Sequence, residues 1–152
     1  MSNSNNIWNI KDSYNQRRAN TWSRGSNRSW TAGGNTPGNT AVVDVVSILS
    51  TGNAVDFGDL ATHVGNAAGM AANSTRGFTM AGEAAPAYYQ KITAMTLASG
   101  GVSSEYGNMT QTGGARYSHN NNTRALTFGA YTPVTPSPYM SNTIDSMTMA
   151  SA

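Results

Sequence analysis

The chain has 152 residues, of which 11% are charged and 38% hydrophobic, and its formal net charge is +2. That balance argues against a disordered polypeptide, which combines few apolar residues with high net charge. The absence of cysteine excludes disulfides, thiolate nucleophiles and Cys-based metal sites.

Residues 1–16 read as an N-terminal arm and residues 17–152 as one β-repeat domain. The opening MSNSNNIWNIKDSYN lacks the apolar segment of a secretory signal. Lys11, Arg17, Arg18, Arg24 and Arg28 face only Asp12 in the first 28 residues, giving +4, while the remainder carries −2. A basic arm can reach an acidic partner, but a solvated terminus is the simpler reading, and nucleic acid is not expected as a partner. The longest apolar stretch, Ala41 to Leu49, is interrupted by Asp44 and Ser47. It falls far short of the ~20 residues of a spanning helix, so no membrane association is expected.

From Asn27 onward the sequence repeats. NRSWTAGG, STRGFTMAG and NTRALTFGA align through Arg28, Arg76 and Arg124, which are 48 residues apart, each followed by an alternating run and a glycine: Gly33, Gly82 and Gly129. Val43 to Ser50 matches Ile92 to Ser99 and, in a third copy, Ile144 to Ala150. Asp56-Phe57-Gly58-Asp59-Leu60 matches Glu105-Tyr106-Gly107-Asn108-Met109, and Ala67 to Ala72 corresponds loosely to Ala115 to Asn120. Each block has the composition and length of a strand. Pro-bearing loops at 35–39, 84–87 and 132–138 separate the first two strands of each unit, and no segment shows a sustained helical period. The expected fold is all-β, with propeller-like repeats of about 48 residues, four short antiparallel strands each, and an incomplete last repeat.

The residues from Ser50 to Leu60, Ser74 to Gly77 and Asn142 to Asp145 give the chain its family resemblance. Over roughly residues 17–152 it resembles the kelch-like, galactose-oxidase-like repeats, and more narrowly the β-propeller repeats of tailed-bacteriophage virion proteins from marine and cyanobacterial hosts. The glycine pair and the paired Tyr and Trp of cellular kelch repeats are largely missing. The resemblance implies a virion structural protein, in a capsid decoration or cement role or in a tail or fibre. Its location would be the virion, assembled in the bacterial cytoplasm beside other virion proteins.

An unfinished third unit leaves a sheet edge that invites pairing with another chain. Ile7, Trp8 and Ile10 of the arm, with Ile144, Met147 and Met149 of the last block, are therefore the expected oligomer contacts. A cyclic homo-oligomer, a trimer first among the possibilities, would complete the unit. Tyr88, Tyr89, Tyr131 and Tyr139 lie in or beside the variable loops and form the candidate binding surface for a glycan or receptor, the alternative function. Trp30, Phe78 and Leu126 share one repeat position, which argues core packing for Trp30.

No catalytic group is expected. His63 and His119 occupy non-equivalent positions with no carboxylate at dyad or metal spacing. No serine sits in a nucleophile elbow, and Gly100-Gly101 and Gly113-Gly114 lack the context of a phosphate cradle. Asp56, Asp59 and Glu105 show no calcium-loop spacing and read as turn residues. Arg28, Arg76 and Arg124 are expected at strand starts, each paired with a repeat acid such as Asp56 or Glu105. No cofactor or metal is implied.

Overall fold

The computed structural model describes residues 28–35, 37–62, 69–84, 86–132 and 140–149, together with Lys11, Tyr14 and Asn15. Eleven strands follow one another in these residues: β1 (Arg28–Asn35), β2 (Asn39–Ser47), β3 (Val55–Asp59), β4 (Gly69–Ala72), β5 (Arg76–Ala84), β6 (Ala87–Thr96), β7 (Gly101–Val102), β8 (Ser104–Asn108), β9 (Tyr117–Asn120), β10 (Arg124–Tyr131) and β11 (Met140–Thr148). The fold is all-β. The strands form three sheets ordered β1-β2-β3-β7, β4-β5-β6-β8 and β11-β10-β9, here called sheets 1, 2 and 3.

The three repeated arginines each open a strand. Aligned blocks also pair in one register: Ala32 with Val43, Met80 with Ile92, and Phe128 with Ile144. Each hairpin slips once at the same point, between Ala32 and Gly34, Met80 and Gly82, and Phe128 and Ala130. The residues passed over are Gly33, Ala81 and Gly129, with φ of 73°, 58° and 69°. This is a β-bulge built around a left-handed residue. Sequence alignment matched Gly82 to Gly33 and Gly129, but in the middle sheet the left-handed position is taken by Ala81. The bulge is thus fixed by the hairpin as a whole, which holds an alanine where glycine is easier.

The turns before β5 and β10 are likewise copies. Asn73 Oδ1 accepts from the backbone N–H of Thr75 and Arg76 at 2.9 and 2.8 Å, and Asn121 Oδ1 does the same for Thr123 and Arg124 at 2.9 and 2.8 Å. A side chain that closes its own turn in this way is an Asx-type stop, suited to a tight connection between strands.

The sheets stack face to face. On a strand, alternate side chains point to opposite faces, so each sheet has a front, facing the next sheet, and a rear. Phe78, Met80, Ile92 and Ala94 on the front of sheet 2 join Ala125, Met147 and Met149 from the rear of sheet 3 in one buried cluster. Val43 with Trp30 and Ala32 on the front of sheet 1 join Met95 from the rear of sheet 2 in another. Sheet 2 is therefore covered on both sides, and Gly77 through Gly82 of β5 are all buried. Burying a side chain the size of Phe78 stabilises the fold by about 1.5–3 kcal/mol.

Backbone contacts stitch the stack. β7 adds in parallel to β3, pairing Gly101 with Gly58 and Val102 with Asp59, and the Ser103 N–H donates to Asp59 O at 2.8 Å. The approach leaves no room for a side chain: a Cβ on Gly58 would overlap the Gly101 carbonyl, and one on Gly100 would overlap that of Phe57. Between sheets 2 and 3, Asn73 Nδ2 donates to Met149 O at 3.1 Å, and Asn120 Nδ2 to Ala72 O at 2.6 Å.

Candidate interaction surfaces

The stack has two ends. At one end lies the front of sheet 3. Ala125 and Thr127 point back toward sheet 2, where the Thr127 hydroxyl contacts Met80 Sδ at 3.1 Å, so Leu126 and Phe128 point forward. Their cross-strand partners carry the same face outward: Tyr117 and Ile144 opposite Phe128, His119 and Ser146 opposite Leu126. Ile144 is 68% exposed, Tyr117 71% and Leu126 43%. The His119 ring stacks on Phe128 with centroids 5.8 Å apart and planes 17° apart. The result is an aromatic and aliphatic face with Arg124 at its margin, and among the described residues no sheet covers it.

At the other end lies the rear of sheet 1. Ser29 pairs with Val46 and Thr31 with Asp44, and these alternate with Trp30, Ala32 and Val43, which face sheet 2. Ile48 continues this rear face and is 64% exposed. Its repeat equivalents are Leu97, half-buried, and Met149, 1% exposed.

The expected oligomer contacts divide between these surfaces. Ile7, Trp8 and Ile10 lie outside the described residues. Ile144 belongs to the open front of sheet 3. Met147 and Met149 point the opposite way, because residues an odd number apart on a strand occupy opposite faces. Met149 is enclosed in the cluster between sheets 2 and 3 and is not accessible to a partner, and Met147 packs on that cluster.

The loop tyrosines converge in part. The Tyr88 and Tyr131 rings lie 5.9 Å apart with planes at 38°. Tyr89 is half-buried, and its carbonyl accepts from the Gly113 N–H at 3.1 Å. Tyr139 lies outside the described residues. Desolvation pushes the Tyr88 phenol above its ordinary value, with smaller contributions from the charges of Glu83 and Tyr131.

Two charged pairs are present among the described residues. Glu105 Oε2 meets Lys91 Nζ at 3.0 Å on the surface, so the acid expected to pair with a repeat arginine is held by a lysine. Arg116 is 3% exposed, and its Nη2 donates to Gln111 O at 2.8 Å. Its Nη1 lies 3.6 Å from Asp145 Oδ2, too long for a strong hydrogen bond. Burial pulls the Arg116 pKa down and Asp145 partly offsets the effect. This pair fixes the connection between sheets 2 and 3. Asp56 Oδ1 accepts from the Gly58 N–H at 3.0 Å. Asp56 and Asp59 nevertheless lie in β3 and Glu105 in β8, so the three expected turn residues are strand residues, paired there with β2 and β6.

Sequence reasoning did not single out Ile48, Tyr117, Leu126 or Phe128 as surface residues. Leu126 shares its repeat position with Trp30, which reads as core, so the repeat alone does not set Leu126 apart as exposed. The signal that finds them is repeat phase together with rank in the stack: a core position in a terminal sheet has no covering sheet among the described residues. No protein-family model matches the chain, and no curated protein is significantly similar to it.

Proposed function

We propose that this chain is a structural assembly protein of a bacteriophage particle, a capsid decoration or cement protein or a component of the tail or fibre, and that it acts without catalysis. The observation that carries the reading is the stack itself, a repeated sheet whose two end faces, of repeat composition, are covered by no sheet among the described residues. Such modules are stabilised chiefly by contacts with their neighbours. The resemblance to phage virion repeats supplies the setting, and the virion the location.

The propeller-like reading is supported by antiparallel meanders packed face to face, the way blades pack. Only sheet 2 has the expected four antiparallel strands: the fourth strand of sheet 1, β7, is parallel and comes from the next unit, and sheet 3 has three. The reading is supported too by the close approach of β4 to β9, where a Cβ on Gly69 would overlap Ser118 Oγ. Rings have about four to eight blades, so closure would need sheets from more than one copy. Two copies of the three sheets fit that range, whereas the expected trimer would exceed it. Quantitative mass spectrometry of purified particles tests the function: a fixed copy number per particle is expected, and absence from particles overturns it.

A second reading has its own observation. The paired Tyr88 and Tyr131 rings beside Glu83 offer apolar faces and hydroxyls together, the chemistry that grips a sugar or a receptor loop. Glycan-array binding abolished by Tyr88→Ala or Tyr131→Ala would favour this reading over a purely structural role.

A further inference from the structure

We infer that the two open ends of the stack bind each other: the front of sheet 3 in one copy docks on the rear of sheet 1 in another, by the same packing that joins the sheets within the chain. The inference rests on the assembly reading above and specifies its interface. It starts from repeat phase. Trp30, Phe78 and Leu126 occupy one front position, and Ser29, Gly77 and Ala125 the rear position one residue earlier in the same strands. Within the chain this position mates twice. The Trp30 ring lies so close over Gly77 that a Cβ there would come within 2.8 Å of it, and Phe78 shares a cluster with Ala125. The third front residue, Leu126, and the unmatched small rear residue, Ser29, are left over at opposite ends.

The same holds for the larger apolar positions. Val43 and Ile92 are buried against the following sheet, whereas their equivalent Ile144 is open. Met149 is buried against the preceding sheet, whereas its equivalent Ile48 is open. The backbone stitch repeats the pattern at the end formed by sheet 1. Gly58 is crowded by Gly101, while Gly52, the repeat equivalent of Gly101, has nothing within 4 Å among the described residues. Charge agrees in sign, with Arg124 on the front of sheet 3 and Asp44 on the rear of sheet 1. An apolar face this rich in exposed aliphatic and aromatic groups marks an interaction site, and the surface that complements it by phase is on the same molecule. A second copy is therefore the occupant. The contact is head to tail, so it generates either a closed ring or a filament according to the rotation per step.

The test uses polarity. Ile48→Asp spoils the rear of sheet 1 and Ile144→Asp the front of sheet 3, and both side chains are exposed, so circular dichroism should show intact folds. Sedimentation of the wild-type chain should show association. Each variant alone should self-associate about a hundredfold more weakly, because a carboxylate would be buried without a partner. An equimolar mixture should form a 1:1 dimer and nothing larger, since only one competent front and one competent rear remain. If either variant associates as the wild type does, the head-to-tail contact is overturned while an assembly role through other surfaces stands. If the wild type stays monomeric, or Ile144→Asp unfolds the monomer because the chain's own residues cover that face, the inference also fails. The particle copy number decides the functional reading independently.

Discussion

Sheet 2 and sheet 3 use one pattern and reach opposite results. Phe78 and Leu126 hold the same strand position, as do Ile92 and Ile144, yet the first of each pair is buried and the second exposed. Sheet 1 shows the mirror case on its rear face, where Ile48 is open and Met149 of sheet 3 is enclosed. Burial in a stacked fold is thus decided by what lies on either side of a sheet more than by the residue. An apolar residue in repeat phase marks a mating surface, and only the rank of its sheet says whether the mate is in the same chain.

The contrast can be broken most severely at the shared aromatic position. Phe78→Ala should cost about 3–5 kcal/mol, the range for emptying an aromatic site in a packed core. Leu126→Ala, half outside the monomer, should cost less than about 1 kcal/mol. Urea denaturation of both variants at a concentration where the chain is monomeric measures the difference, and equal losses would show that sheet 3 is covered. The glycine pair sharpens the comparison at smaller scale. Gly58→Ala must displace the Gly101 backbone at a φ of 143°, so a loss of at least about 1–3 kcal/mol is expected from strain alone. Gly107→Ala meets open space and should lie within about 0.5 kcal/mol of wild type. Thermal melts of the two variants read this directly.

The smallest effect concerns pH. The Tyr88 phenol is held above its ordinary value of 10.0, first by desolvation and then by Glu83 and Tyr131. A phenol whose folded value is raised keeps its stabilising contribution below pH 10 and loses it as the pH climbs through the raised value. Absorbance titration should therefore show a late-ionising tyrosine that disappears in Tyr88→Phe. The same variant should show a weaker fall of stability above pH 10.

Most of the fold was legible. The arginine spacing located β1, β5 and β10, the second block aligned in the register that β2, β6 and β11 adopt, and the proline-bearing loops fell between them. These features are local, carried by alternation and turn chemistry within each unit. The surfaces were less legible. Ile144, Met147 and Met149 read as one contact strip, but a pleated strand sends Ile144 one way and both methionines the other. Tyr88 and Tyr131 lie 43 residues apart and meet only because sheets 2 and 3 stack. Gly100 carries no motif, since its need for a missing side chain arises from Phe57 on a strand in another unit. What depends on one strand's neighbours in sequence could be read, and what depends on sheet-to-sheet contact could not.

That β1–β3, β4–β6 and β9–β11 are each drawn from one continuous stretch of chain has a kinetic consequence. Hairpins with short turns close early because little entropy is lost in bringing their ends together. Each meander can therefore form on its own during synthesis, with docking of one sheet on the next as the later step. Asn73 and Asn121 close the turns that begin such hairpins, whereas Gly58, Gly77 and Gly100 act only when sheets meet. Substitutions at the asparagines should slow folding, and those at the glycines should mainly speed unfolding. A chain built in this order emerges from the ribosome with its mating faces appearing one after another, each exposed until the next sheet arrives.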